Sequence, residues 1–283
     1  MFLWGFTAIL GKAITLQALP LVWWRTILVS SALLLIPRFW RGIAALRSRL
    51  VVTYAFIGTI VAVHWLMFYG SIKMSNASVA ATCMAMAPLF VAFIEPLIVG
   101  RRFERRELFF GIAVVPGVAL VVGGIPAEMR TGLAVGVLSA LLAAIFGTLN
   151  KRYIEHGGAL TVTGLEMIAG AVFLTMIGIA LPRLPPMFVK PAAHDAVLLL
   201  VLAIACTLVP FALSLSAQRH LSAFTTALAV NMEPVYAIFL AILFLGEQHE
   251  LSSSFYLGVI IVLAVVFTHP LWQAESSKNV LIR

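Results

Sequence analysis

Apolar side chains in this chain come in long unbroken runs, and the polar ones gather in the short gaps between them. A helix needs about 20 apolar residues to cross hydrocarbon. Stretches near that length fall at 2–16, 19–37, 50–70, 76–98, 107–124, 131–150, 161–181, 196–216, 222–245 and 252–272. Continuous runs predict helices, because a membrane strand alternates apolar with polar positions. The first run is short and begins at Met1, but no charged leader or small-residue cleavage pattern precedes the second run, so a span is expected there rather than a signal peptide.

Composition strengthens this pattern. Of 283 residues, 62% are apolar and 11% charged, against about 25% charged in a soluble domain. A globular core of this size cannot hide so much apolar surface, and exposing the rest leads to aggregation. That excludes a soluble enzyme, and the apolar content excludes a disordered chain. Aspartate occurs only at Asp195, which argues against aspartate-rich divalent-cation sites. Cys83 and Cys206 lie inside apolar runs and form neither a disulfide framework nor a zinc set. The expected protein is polytopic and all-α.

The net charge of +8 sits between the runs, not on one polar face. Anionic lipid is therefore the expected partner and nucleic acid is not. With both termini on the cytoplasmic side, that side collects Arg38, Arg41, Arg47 and Arg49, Arg101, Arg102, Arg105 and Arg106, then Lys151, Arg152, Arg219, Lys278 and Arg283. The other side holds Lys73, Arg130, Arg183 and Lys190. Thirteen against four is the asymmetry the positive-inside rule describes.

Shifting the chain by 146 residues superimposes two stretches without gaps. Lys73 falls on Arg219, Met86 on Met232, Pro88 on Pro234, Phe93 on Phe239, Gly100 on Gly246 and Glu104 on Glu250. Near the start of each half the shift is 141–142, where Gly5 meets Gly147. Each half then holds five spans. Five is odd, so the copies must be upside down relative to each other, an arrangement typical of carriers with a midplane site. The expected organisation is ten transmembrane helices as two inverted five-helix repeats, 1–124 and 131–272, with a cytoplasmic tail at 273–283.

Trp4-Gly5 and Phe146-Gly147, the prolines Pro88 and Pro234 in small-residue spans, and the ending Leu245-Gly246-Glu247 resemble the EamA unit, the duplicated five-helix module of the drug/metabolite transporter superfamily. Within it the chain looks most like YddG-type bacterial amino-acid exporters. It departs where Val99-Gly100-Arg101 stands in place of Leu-Gly-Glu, and it carries Glu233 beside Pro234. The resemblance implies a multi-pass exporter of small metabolites, amino acids above all, in the bacterial inner membrane.

Ionisable groups inside spans are costly, so each is a candidate for function. His64 lies deep in the third span with Trp65, Phe68 and Tyr69. Imidazole and aromatic rings together suit an amino acid, since rings stack on an ammonium group and His offers a polar contact; packing against a backbone carbonyl is the competing role. Glu233 precedes Pro234 mid-span, where it could bind an ammonium or carry a proton, or remain a buried acid held by a neighbour. Asn231 flanks it as a cavity contact or as interhelical glue. Met84 and Pro88 in the symmetry-related span are wall or hinge candidates, or simple packing. Arg25 and Glu166 sit at matching repeat positions; for Arg25, snorkelling to the interface is favoured over binding a substrate carboxylate. Glu95 is expected to pair with the 101–106 arginines, and Gln218, Asn150 and Lys151 are weaker candidates.

No phosphate-binding loop, His-Glu-x-x-His or Gly-x-Ser-x-Gly motif occurs. The expectation is a secondary transporter and no enzyme, with no cofactor or metal, acting as a monomer on an amino-acid solute by alternating access. The alternatives are a membrane-embedded enzyme using His64 and Glu233 as acid and base, a membrane scaffold, or a carrier of a drug, nucleoside or sugar phosphate.

Overall fold

Among the described residues each apolar run is helical, as one helix or as two joined at a break. This computed structural model describes residues 2–100, 103, 105–181, 187–221 and 232–281, and among them every regular element is helical. In chain order these are α1 Phe2–Ala13, α2 Ala18–Leu34, α3 Pro37–Ala44, α4 Ser48–Met74, α5 Ala77–Met84, α6 Ala87–Val99 and α7 Arg105–Gly123. After a short 3-10 turn follow α8 Arg130–Tyr153, α9 Ala159–Ala180, α10 Ala193–Ala203, α11 Val209–Gln218, α12 Met232–Leu245 and α13 Ser253–Leu281.

The breaks have local causes. The run at 19–37 is not one straight span. Its helix ends at Leu34, and Pro37, preset for a first helical turn, starts α3 at 86° to α2. Pro88 has no N–H to offer the carbonyl four residues back, and the helix breaks just there, at Ala85 and Met86. Pro210 does the same to Cys206, and the chain between α10 and α11 widens into a π-helical turn, Ile204–Leu208. By length and apolarity, Ser48–Met74, Ala77–Val99, Ala127–His156, Ala159–Ala180 and Ala193–Gln218 qualify as spans, and the bent α2–α3 pair makes a sixth. Phe2–Ala13 and the stretches Ile112–Gly123, Met232–Leu245 and Ser253–Val265 are apolar but shorter among the described residues. Of the ten runs expected, six meet the length and apolarity of a span among the described residues.

The outer surface is apolar. Phe56, Ile112, Val115, Met176, Ile179, Leu213, Phe239 and Leu243 are all exposed, a surface a soluble monomer does not carry. Inside, α4 packs against both α8 and α9, α2 against α9 and α10, α1 against α12, α6 against α8, and α7 against α13. With no hydrophobic drive between helices in lipid, small residues decide how closely they approach. A Cβ on Gly58 would lie 2.3 Å from the Glu166 carbonyl oxygen, so only glycine allows this α4–α9 crossing. Gly100 and Gly246, with φ of +80° and +69°, are the positive-φ residues among those described; they end α6 and α12 as left-handed caps.

Two ends of the bundle are distinct. At the basic end, Tyr54 donates to the Tyr153 carbonyl at 2.7 Å, Arg219 to that of Gly157 and Lys151 to that of Gln218. At the far end, Asp195 accepts from the Thr15 amide at 3.1 Å and its hydroxyl at 2.6 Å, and Lys73 donates to the Ile14 carbonyl. The Glu247 carboxylate, 1% exposed, accepts from the amides of Ala77 and Ser78 at 2.9 and 2.8 Å, capping the N-terminus of α5 from the opposite half of the chain. Glu250 accepts from Asn76 Nδ2 nearby at 3.0 Å. The expected pairing of Glu95 with the arginines of 101–106 falls largely on residues outside the described set.

Replacing Glu247 by Ala orphans two buried amides and is expected to cost about 2 kcal/mol, read as a lowered thermal midpoint in detergent. Glu250→Ala, at an exposed carboxylate, is expected to cost less than half as much; equal losses would contradict the capping role.

Candidate functional site

A cavity of about 130 Å³ lies among α1, α2, α4, α5, α6, α8, α11 and α12. Its wall runs from Arg25 in the middle of α2, Phe68 of α4 and Met84 at the end of α5 to Asn150 and Gln218 at the basic end. Rings make up much of the lining: Trp4, His64, Trp65, Phe68, Phe146 and Phe211. They contact one another in sequence, with His64 5.3 Å from Phe146, Phe146 6.4 Å from Phe211, and Phe211 6.1 Å from Trp65 between centroids.

Arg25 is the cation of this wall and is 2% exposed. Its Nε donates to Thr207 Oγ1 at 2.6 Å and its Nη1 to the Tyr69 hydroxyl at 2.9 Å, while Cζ sits 3.8 Å above the Trp65 ring. The sequence builds this cradle locally. The π-helical turn ahead of Pro210 places Thr207 so that its own hydroxyl donates to the Leu202 carbonyl at 2.6 Å and still accepts from Arg25. Gly11 gives Tyr69 its room, since a Cβ there would sit 2.4 Å from the ring. The interfacial, snorkelling role expected for Arg25 is thus corrected. Its head group is bonded inside the bundle, because α2 enters from the far end and seven residues bring it to mid-depth.

Glu233 opens the first turn of α12 and is half-buried in the wall. Its Oε1 lies 3.4 Å from Thr7 Oγ1, whose hydroxyl is already committed to the Trp4 carbonyl at 2.6 Å. His64 Nδ1 lies 2.9 Å from both the carbonyl and the hydroxyl oxygen of Ser139, and the Ser139 hydroxyl reaches the His64 carbonyl at 3.0 Å. A carbonyl only accepts, so Nδ1 carries the proton and Nε2 is the acceptor of the neutral ring. His64 therefore packs on a backbone carbonyl and lines the cavity at once.

Of the residues singled out from sequence, the structure brings His64, Trp65, Phe68, Met84 and Glu233 into one wall. Tyr69 lies behind it as a support for Arg25, and Pro88 and Pro234 are buried off the lining. Asn231 lies outside the described residues. Glu166 is fully buried, 3.4 Å from Asn150 Nδ2, and its Oε1 has no partner among the described residues. Sequence reasoning missed Thr207, a lone hydroxyl in an apolar run; the signal that could have found it was Pro210 three residues on. Among the described residues no three His, Cys, Asp or Glu side chains converge as a metal site.

Thr207→Val keeps the shape and removes both bonds. It is expected to destabilise by about 2 kcal/mol, whereas Ser214→Ala on the cavity wall should change stability by less than about 0.5 kcal/mol, both by thermal unfolding.

Comparison with known proteins follows the same lines. The model of the EamA-like transporter family matches residues 1–123 and again 130–268. An uncharacterized transporter of Clostridium kluyveri is 25% identical over 191 residues, 63% of this chain and 61% of that protein. The uncharacterized transporter YcbK of Bacillus subtilis is 28% identical over 180 residues, 61% of this chain and 57% of its own length. The chain thus spans about three-fifths of the length of these curated relatives. A solved crystal structure superposes with a TM-score of 0.68 at 15% identity, covering 96% of this chain and 94% of the other, which speaks to the fold alone. The chain is a multi-pass membrane protein and belongs to the EamA-like transporter family.

Proposed function

We propose that this chain is a ten-helix secondary transporter that exports small neutral or aromatic amino acids across the bacterial inner membrane by alternating access. Its two inverted repeats cover 1–124 and 131–272, both termini are cytoplasmic, and 273–283 is a cytoplasmic tail. The packing supports the duplication. Exchanging α1 with α8, α2 with α9, α4 with α10–α11, α5–α6 with α12 and α7 with α13 turns α1–α12 into α8–α6 and α4–α9 into α10–α2. The same exchange leaves α7–α13, α5–α12 and α2–α9 unchanged. The paired left-handed glycines, 146 positions apart, agree with it, as do the two consecutive family matches.

The observation that carries the reading is the ring-lined cavity at the meeting of the two repeats, with Glu233 in its wall. A volume near 130 Å³ suits one small metabolite better than a drug-sized ligand, whose pockets run to roughly 300–1,000 Å³. Rings and a carboxylate are a fitting host for an ammonium group beside an apolar side chain. The bacterial origin of the relatives supports the location.

The test is counterflow of labelled leucine, threonine and phenylalanine in liposomes containing the purified chain, under imposed pH steps. At least one should exchange, and Glu233→Gln and His64→Ala should slow it about tenfold, the loss of one charge-assisted or buried contact. Movement of a nucleoside or sugar phosphate with no amino acid moving, or chemical conversion without translocation, overturns the proposal.

A further inference from the structure

We propose that Arg25 is the carboxylate anchor of the cavity, so that the transported solute must present a carboxylate to its guanidinium. This rests on reading the cavity as a solute path and narrows what that path accepts.

A guanidinium at mid-depth in a bilayer is expensive unless an anion or a dense set of acceptors meets it. The groups that hold Arg25 are a threonine hydroxyl, a tyrosine hydroxyl and an indole face. They orient the head group without neutralising it. No carboxylate among the described residues forms an ion pair with it, although Glu233 lines the same cavity. Of five N–H donors on the planar fork, two are engaged among the described residues, which leaves three for a ligand. A carboxylate matches that fork with two parallel bonds, whereas a hydroxyl or amide oxygen does not.

Glu233 is the complementary half. Its described contact is the long one to Thr7, whose proton is already spent on the Trp4 carbonyl. The cavity thus holds a guanidinium and a carboxyl group that form no ion pair with each other among the described residues, in a wall that also carries Trp65 and its neighbouring rings. A solute with a carboxylate at one end of an ammonium-bearing carbon meets both. An amine without a carboxylate leaves Arg25 unanswered and places a second cation in its field, so decarboxylated amines and amino-acid amides are poor solutes.

The experiment compares leucine, leucinamide, 3-methylbutylamine and 4-methylpentanoate on the purified full-length chain, by quenching of tryptophan emission and by transport in liposomes. The parent should bind leucine and 4-methylpentanoate at least about tenfold more tightly than the amide or the amine, the gain of one bidentate charged contact. Arg25→Gln should erase that preference, chiefly by weakening leucine and 4-methylpentanoate, and Arg25→Lys should restore part of it. The parent-only comparison holds whether or not the variants fold. Acid and amide binding within threefold of each other in the parent, or an Arg25→Gln protein that keeps the preference, overturns the anchor. If leucine and leucinamide are carried equally, the anchor falls and the transporter stands. If 4-methylpentanoate binds through Arg25 while no amino acid crosses, the anchor stands and the amino-acid reading falls.

Discussion

Hydrocarbon offers no hydrogen bonds, so a polar group placed at mid-depth must find its partners inside the protein. The Arg25 guanidinium imposes that requirement most severely here. Satisfying it draws together α2, α4 and the π-helical turn between α10 and α11, through Tyr69, Trp65 and Thr207. Features that look unrelated along the chain then share one cause. Pro210 opens the turn that aims Thr207, Gly11 gives Tyr69 its place, and the rings around Trp65 shield the head group from lipid. The cavity is the space this seam leaves beside it.

The two ends of the bundle are closed differently. At the far end, Glu247 caps α5, Asp195 holds the Thr15 turn, and Lys73 reaches the end of α1. Toward the basic end the cavity wall extends to Asn150 and Gln218, and among the described residues no lining residue comes from the far-end loops. Breaks in the helices that flank the cavity, between α5 and α6 and between α10 and α11, lie at its level. In the proposed cycle these are the joints about which the repeats rock. The sequence offers no inner counterpart of the Glu247 cap, since Arg101 stands at the matching position.

Much of the fold could be read from the chain because hydrocarbon length and helical rise leave little freedom. The proposed repeat rests on the same kind of reading: Gly100 and Gly246 align in sequence, and both adopt the left-handed cap. The break after Leu34 was readable from Pro37 yet was absorbed into one long apolar run. The site was only half legible. His64, Phe68 and Glu233 stand out because polar or aromatic residues in spans are rare or clustered. Arg25 was misplaced because distance along a helix reports depth only once that helix's tilt and neighbours are known. Thr207 gives no signal by itself, since a threonine in a helix usually bonds its own backbone. Trp4 and Phe146 were noticed as marks of the repeat and not as a wall, because only the fold shows that the two marks face one cavity.

Everything said of the cavity depends on the two halves having opposite orientations in the membrane. Single cysteines at Arg47, Phe103 and Gln248, placed in a protein with Cys83 and Cys206 changed to alanine, test this by reaction with an impermeant thiol reagent in sealed vesicles of known sidedness. The expected result is that positions 47 and 103 react only from the cytoplasmic side and position 248 only from the opposite side. Reaction of 103 and 248 from the same side contradicts the inverted duplication and the solute path built on it.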